Sequence, residues 1–130
     1  MTADTRYGVG PLGYWLGCFR RYAAFAGRAR RAEYWWFTLI NGIIFAALVG
    51  VGIFVEDSGE SSPALGRLIL VFFFAGLLPT LAVTCRRLHD AGLSGWWQLL
   101  GFIPLGSLVV LIMTVLDSDP GVNRYGPDPR

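Results

Sequence analysis

The sequence contains no lysine and only one histidine, His89, so all eleven of its basic residues are arginine. A single histidine excludes a metal site built from several histidine ligands. The two cysteines, Cys18 and Cys85, lack the spacing of a metal motif, and we interpret them as small apolar residues, not as a disulfide. We therefore predict that the protein holds no metal and no other cofactor.

Charge is also scarce, because charged residues make up 15% of the chain and hydrophobic residues 54%. The mean hydropathy of +0.50 is high for a soluble domain. A net charge of +2 is too small to indicate binding to nucleic acid. The first thirty residues hold scattered arginines and no continuous apolar segment, so we expect no cleavable signal peptide.

Three uncharged apolar runs dominate the sequence, at residues 35–55, 68–85 and 96–116. A helix needs roughly 20 apolar residues to cross a bilayer. A chain this small could not hide three such runs in a soluble core. We therefore predict an all-α membrane protein in which residues 1–130 form one membrane domain with three transmembrane helices.

A weaker pattern precedes these runs. Apolar residues recur at helical spacing over residues 12–26, while Arg20 and Arg21 fall on the other side. This pattern predicts an amphipathic helix that lies in the membrane interface. The alternative is a helix packed on the rest of the chain. The apolar positions are Leu12, Trp15, Leu16, Phe19, Tyr22 and Ala23.

Local signals set the ends of the second helix and the start of the third. Ser62 followed by Pro63 is typical of a helix start, and Gly92 is typical of a stop just after Asp90. Ser94 is a predicted N-cap for the third run. Residues 117–130 are rich in proline, glycine and asparagine, which predicts a tail of turns.

Arginine placement predicts the orientation. Most arginines precede the first run or follow the second, whereas the loop between those runs is acidic, so the N-terminus should be cytoplasmic. Three full spans would then place the tail on the outer side. Pro104 and Gly106 leave an alternative, in which the third run folds back as a re-entrant hairpin and returns the tail to the cytoplasmic side.

Two polar clusters flank the apolar runs. The first contains Arg28, Arg30, Arg31 and Glu33, and we interpret its arginines as an anchor for anionic lipid phosphates. Glu33 stands at the head of a predicted membrane helix, where a buried carboxylate needs a cationic partner. We expect Glu33 to pair with Arg86 or Arg87 and so to join the first two membrane helices.

The second cluster covers residues 86–90. Arg86 and Asp90 have the i, i+4 spacing of a pair on one helix face, and Arg87 should point elsewhere. His89 beside Asp90 raises the alternative of a catalytic dyad. Adjacent helical residues point about 100° apart, however, which disfavours orientation of His89 by its own neighbour. The simpler interpretation is a cationic helix C-terminus.

Two further patterns concern packing and the tail. Gly42, Ala46 and Gly50 recur every four residues, a spacing that lets membrane helices approach closely, within one chain or between copies. The dense turn signals of residues 120–129 predict either a terminal cap on the helix ends or part of a polar site. The tail residues that we single out are Asn123, Arg124, Tyr125 and Asp128.

The segments GRARRAEYWWF, RRLHDAGLSGWW and PGVNRYGPDP together resemble the bacterial inner-membrane family called domain of unknown function 805, to which the YhaH-like proteins belong. The resemblance extends from about residue 25 to residue 129 and implies a small multi-pass protein of the inner membrane. It implies no reaction and no catalytic residues.

The sequence therefore favours an inner-membrane protein without assigned activity. We expect it to bind anionic lipid head groups, a partner membrane protein or a second copy through its arginine clusters. A transporter or channel would instead need a water-lined cavity near Asn41 and Thr80, since the apolar runs carry no charge. An enzyme acting on a lipid or phosphate ester would need His89 in an open cleft beside a second carboxylate.

Overall fold

A computed structural model describes residues 10–130, which form five helical elements and no β-strand. Helix α1 spans Pro11–Arg20, α2 spans Arg31–Asp57 and α3 spans Pro63–Asp90. A 3-10 helix at Gly95–Phe102 and helix α4 at Gly106–Val115 follow. The described part of the chain is thus all-α, as the sequence predicts.

Helices α2 and α3 form an antiparallel pair and are both long and apolar enough to cross a membrane. Their most apolar 18-residue segments are 0% and 22% buried within the protein, respectively. The core helix of a soluble protein would bury such a segment. Ser62 caps α3 by accepting a hydrogen bond from the Leu65 amide, with Pro63 at the first helical position, which confirms the predicted start.

Helix α3 continues through Pro79, which has no amide hydrogen to donate to the carbonyl of Ala75. The Tyr22 hydroxyl donates to that carbonyl at 2.7 Å and satisfies it. Proline is tolerated inside an apolar helix when a neighbouring segment supplies such a donor. The chain between α1 and α2 is thereby attached to the middle of α3.

The third apolar run is not one continuous helix, so a single helix over residues 96–116, which the predicted span implied, is not observed. The 3-10 helix ends at Phe102, Leu105 adopts a left-handed conformation with φ 65°, and α4 then begins at Gly106. Gly106 approaches the Leu100 carbonyl so closely that an added Cβ would lie 1.9 Å from its oxygen. The two halves pack against each other, as the folded-back alternative at Pro104–Gly106 requires.

Helix α1 is shorter than the predicted residues 12–26 and packs on α2. Phe19 contacts Phe37, with ring centroids 5.7 Å apart, and Trp15 donates to the Asn41 side chain at 2.9 Å. Leu12 and Leu16 remain exposed. The helix therefore packs partly on the chain, and its place in a membrane interface stays a prediction.

The three small residues Gly42, Ala46 and Gly50 of α2 do not mediate close packing between the described helices. A Cβ added at Gly42 or Gly50 would meet nothing within 4 Å, and Ala46 is exposed. The close approach of α2 and α3 lies instead at Gly52, where an added Cβ would be 3.3 Å from Ile69. These three small residues were predicted to allow close helix packing within one chain or between copies, and packing within the chain is thus not observed.

The buried core is small and lies where α1, the start of α2 and the end of α3 meet. Its apolar members are Cys18, Ala29, Tyr34, Phe37 and Val83. Charged side chains are buried in the same region, and they define the site described next.

Candidate functional site

Asp90, the last residue of α3, is fully buried and joins three segments of the chain. Its Oδ1 accepts from Arg28 Nε at 2.9 Å. Its Oδ2 accepts from Arg87, one turn earlier on α3, and from the hydroxyl of Ser118 in the tail. Two arginines and one hydroxyl thus supply hydrogen bonds to this buried carboxylate.

Arg28 connects the segment before α2 to the tail. Besides Asp90, its guanidinium donates to the carbonyls of Gly121, at 2.6 Å, and of Asp119. Arginine suits this role because its planar fork carries five donors. The tail is therefore held in place through its backbone carbonyls, which explains why this turn-rich segment has a defined conformation.

Arg87 performs the equivalent role for the end of α4. Its Nε donates to the Thr114 carbonyl at 2.9 Å, and another nitrogen donates to the Leu116 carbonyl. These are last-turn carbonyls, which lack partners within their own helix. Arg87 thus caps α4 and fixes it against α3.

The predicted pairing of Glu33 is confirmed, because Glu33 forms a buried ion pair with Arg86 and joins α2 to α3. The predicted pair between Arg86 and Asp90 is wrong, since Asp90 pairs with Arg28 and Arg87 instead. On α3, Asp90 pairs with Arg87, three positions earlier, and not with Arg86, four positions earlier. We name Arg28, Glu33, Arg86, Arg87 and Asp90 the buried charge cluster.

The tail covers the C-terminal end of α3. Asn123 donates to the His89 carbonyl at 3.0 Å, and the Asp119 amide donates to the Asp90 carbonyl at 2.7 Å. Gly92, with φ 74°, allows the Leu93 amide to reach the Leu88 carbonyl. The last carbonyls of α3 are therefore satisfied, and the tail lies at the end of the molecule where α2 begins.

His89 does not form the dyad with Asp90 that the enzymatic alternative requires. Its ring stacks on Tyr125, with centroids 3.8 Å apart and planes 5° from parallel. Nδ1 lies 3.0 Å from the Gly27 carbonyl, and Nε2 lies 3.6 Å from the Cys85 sulfur. His89 is thus packed between the tail, Cys85 and the segment before α2.

Cys18 borders the buried charge cluster, with its sulfur 3.8 Å from Glu33 Oε1. Burial, together with the negative charge of Glu33, raises the pKa of the Cys18 thiol to about 12. Both cysteines are buried and unlinked, as the sequence predicts. Cys18 is therefore a neutral core residue under physiological conditions.

The arginines that the sequence analysis assigns to lipid binding differ in how deeply they are buried. Arg28, Arg86 and Arg87 are 6%, 0% and 0% exposed and are engaged with carboxylates and carbonyls, so they are not available to a head group. Arg31 lies at the surface, where it pairs with the exposed Asp117. Arg30 donates to the Pro129 carbonyl.

An open groove of about 570 Å³ runs past the start of α2. Three arginines and one carboxylate make its lining positive, and we name it the arginine groove. Arg130, which the sequence did not single out, lies on its wall and pairs with Asp128. The lining residues are Arg30, Arg31, Ala32, Asp117, Ser118 and Arg130.

A second groove, of about 450 Å³, adjoins the first and shares Arg31 and Asp117 with it. The rest of its lining is apolar and comes from the last turns of α4, and we name it the α4 groove. The apolar lining residues are Leu111, Ile112, Val115 and Leu116.

A third groove, of about 230 Å³, lies between α2 and α3. Its lining includes Asn41 and Thr80, near which a transporter or channel would need a water-lined cavity. Its other lining residues are phenylalanines, glycines and a leucine. Thr80 donates to the Gly76 carbonyl of its own helix at 2.6 Å. The groove is thus mostly apolar, whereas an aqueous path needs a polar lining.

Several contributors were missed at the sequence level. Several backbone groups and one hydroxyl make these contacts, and such roles leave no pattern in the sequence. The residues are Ser118, Asp119, Gly121 and Thr114.

Arg124 stacks on the Tyr125 ring at 4.7 Å, so the two tail residues do interact. In the described part of the chain, no group of three or more histidine, cysteine or acidic side chains is placed to hold a metal.

These features define a helical protein with two helices of membrane-spanning length and a polar region, closed by the tail, at one end. The family model described as protein of unknown function (DUF805) matches residues 22–127. The chain therefore belongs to this family, as its three motifs indicated.

Two relatives from Escherichia coli strain K12 match almost the whole chain. The inner membrane protein YhaI is 43% identical over 118 residues, which covers 90% of this chain and 95% of that protein. The inner membrane protein YhaH is 38% identical over 120 residues, with coverage of 92% and 98%. No solved structure matches the chain.

Proposed function

We propose that this chain is an integral inner-membrane protein that binds anionic lipid head groups at the cytoplasmic edge of the membrane through the arginine groove. In this proposal α2 and α3 span the membrane. The 3-10 helix and α4 form a re-entrant hairpin, and both ends of the described chain lie on the cytoplasmic side.

Surface chemistry supports the membrane location. The outer faces of α2, α3 and the hairpin carry large exposed apolar side chains, such as Phe54, which is 73% exposed, and Phe102, which is 79% exposed. Contiguous apolar surface of this extent is unfavourable in water. The names of the two relatives agree with this location.

Charge distribution supports the orientation. The arginines concentrate at the end where α2 begins and α3 ends, whereas Asp57 ends α2 and Glu60 lies in the connection to α3. Positive residues are retained on the cytoplasmic side during insertion. The end that carries the buried charge cluster and the arginine groove is therefore assigned to the cytoplasm.

The observation that carries the binding proposal is the arginine groove itself. Its volume of about 570 Å³ is within the range of roughly 300–1,000 Å³ that is typical of small-molecule sites. Arginine matches phosphate oxygens in geometry as well as in charge. Asp117, the acidic side chain among the described lining residues, is 97% exposed, so its pair with Arg31 can exchange for a phosphate.

The proposal is tested by measuring lipid retention with the purified full chain. The double variant Arg30→Gln and Arg31→Gln is compared with the wild type after incubation with equal amounts of phosphatidylglycerol and phosphatidylcholine, and bound lipid is counted by native mass spectrometry. We expect the wild type to prefer the anionic lipid and the variant to lose most of that preference.

Arg67→Gln is the matched control, because Arg67 is an exposed arginine at the opposite end of α3. It removes one positive charge without touching the groove and should leave the preference intact. An unchanged preference in the double variant, or an equal loss in the Arg67 control, would contradict the proposal.

A further inference from the structure

We infer that the arginine groove and the α4 groove together form a single site for one anionic glycerophospholipid, with its phosphate among the arginines and an acyl chain along α4. This inference rests on the proposed function, because it requires that the arginine groove bind a head group. It adds the class of ligand and the position of its apolar part.

The adjacency of the two grooves is the first argument. Both are lined by Arg31 and Asp117, so the polar groove and the apolar groove meet at this surface ion pair. A free phosphate or a nucleotide would use only the first groove. A ligand with a charged end and a long apolar end matches the whole lining.

The exposed apolar surface of α4 is the second argument. Ile112 is 63% exposed and Val115 is 52% exposed, and both face the α4 groove. The groove starts at Asp117 and Leu116, at the C-terminal end of α4, and extends back along the helix. An acyl chain attached to a phosphate near Arg31 would follow the same direction.

Depth is the third argument. Helix α4 contains ten residues and is therefore about 15 Å long. A bilayer core is about 30 Å thick, so a hairpin of this length reaches about its middle. The acyl chain of a lipid in the same leaflet ends at a similar depth, so α4 can accompany one acyl chain along its length.

The inference is tested by measuring separately how the charged head group and the acyl chains of the ligand contribute to binding. The full chain in detergent is titrated with dioctanoyl phosphatidylglycerol, with glycerol 3-phosphate, which has no acyl chains, and with dioctanoyl phosphatidylcholine, which has no net charge. We expect the first to bind at least tenfold more tightly than either of the others.

Ile112→Trp is designed to fill the α4 groove, and Val115→Trp is a second variant with the same purpose. Val109→Trp is the matched control, because Val109 is an exposed residue of α4 that does not line the groove. We expect the groove-filling variants to weaken binding of dioctanoyl phosphatidylglycerol at least tenfold. They should leave binding of glycerol 3-phosphate and the unfolding temperature unchanged, and the control should bind as the wild type does.

The outcomes distinguish this inference from the proposed function. Wild-type affinity in both groove-filling variants, or an equal loss in the Val109 control, overturns the acyl site, while a preserved preference for the anionic lipid keeps the head-group proposal. Equal binding of the anionic and zwitterionic lipids by the wild type overturns both.

Discussion

Asp90 shows how one side chain can determine the arrangement of several segments. It accepts from Arg28, Arg87 and Ser118, which belong to the segment before α2, to α3 and to the tail. All of these contacts are buried or partly buried. Removing the carboxylate would leave two arginines without their counter-charge, and such a loss is far more costly than the loss of a surface pair.

The variant Asp90→Ala should therefore lower the free energy of unfolding by about 3–5 kcal/mol. Chemical denaturation of the purified protein in detergent, followed by tryptophan fluorescence, measures the change. Asp117→Ala is the matched comparison, because its pair with Arg31 is exposed, and it should cause no measurable change. Equal effects of the two variants would contradict the assignment of Asp90 as the centre of the cluster.

Cys18 offers a chemical test of the same region. With a thiol pKa of about 12, on the order of 10⁻⁴ of the thiol is ionised at pH 8, and the thiolate is the reactive form. In a Cys85→Ala background, alkylation of Cys18 by iodoacetamide should be at least about a thousandfold slower than that of an exposed thiol. Raising the pH towards 12 or unfolding the chain should accelerate it.

An exposed reference thiol is obtained by combining Ser61→Cys with Cys18→Ala and Cys85→Ala, since Ser61 lies on the surface of the loop before α3. Rapid alkylation of Cys18 at pH 8, at the rate of this reference, would show that the thiol is neither buried nor raised in pKa.

Individual residues could be predicted from the sequence where the physical requirement was simple. Glu33 in an apolar context needed an arginine, and the partner proved to be Arg86. The partner of Asp90 could not be predicted, because the sequence does not say which arginines the fold brings together. Local spacing favoured Arg86, but Arg28, which is 62 positions away in the chain, provides one of the bonds.

At the scale of the elements, the fold-back of the third apolar run depends on Gly106. An added Cβ would lie 1.9 Å from the Leu100 oxygen, which is a backbone atom and cannot move without unfolding the turn. Gly106→Ala should therefore destabilise the hairpin by about 2 kcal/mol or more. The change is measured as a lower midpoint of denaturation in detergent.

Gly101→Ala is the matched control, because an added Cβ at Gly101 would meet nothing within 4 Å. It should leave the midpoint within about 0.5 kcal/mol of the wild type. A Gly106→Ala protein as stable as the Gly101→Ala protein would indicate that the chain does not turn tightly at this point.

The tail is a second element whose position can be tested. Asn123 bonds the His89 carbonyl and the Asp119 carboxylate, and its own oxygen accepts from the Tyr125 amide. Asn123→Ala should weaken docking and increase hydrogen exchange of the amides in residues 119–126 by roughly tenfold, equivalent to the loss of about 1.4 kcal/mol. Val122→Ala, at a position that is 79% exposed, should leave exchange unchanged.

The elements were predicted to different extents. Capping and stop signals gave the ends of α3 correctly, because Ser62, Pro63 and Gly92 act locally. The length of the third apolar run suggested a span, whereas Pro104 and Gly106 favoured a fold-back. Length alone could not decide between these alternatives, since the outcome depends on Arg87 holding the end of α4 against α3.

At the scale of the whole molecule, the polar segments gather at one end of the described chain. The segment before α2, the end of α3 and the tail are joined by Arg28 and Asp90 of the buried charge cluster and by Asn123. An alternative with three full spans would place the tail some 30 Å away, across the membrane. The central claim is therefore that the tail and the start of α2 lie on the same side of the membrane.

Fusion of reporters at two positions tests this claim most directly. A fluorescent protein that matures only in the cytoplasm and a phosphatase that is active only outside it are each fused after Arg130 and, separately, inserted in the loop after Gly59. We expect fluorescence without phosphatase activity after Arg130, and phosphatase activity without fluorescence in the loop. Phosphatase activity at both positions would place the tail across the membrane from the start of α2 and contradict the account.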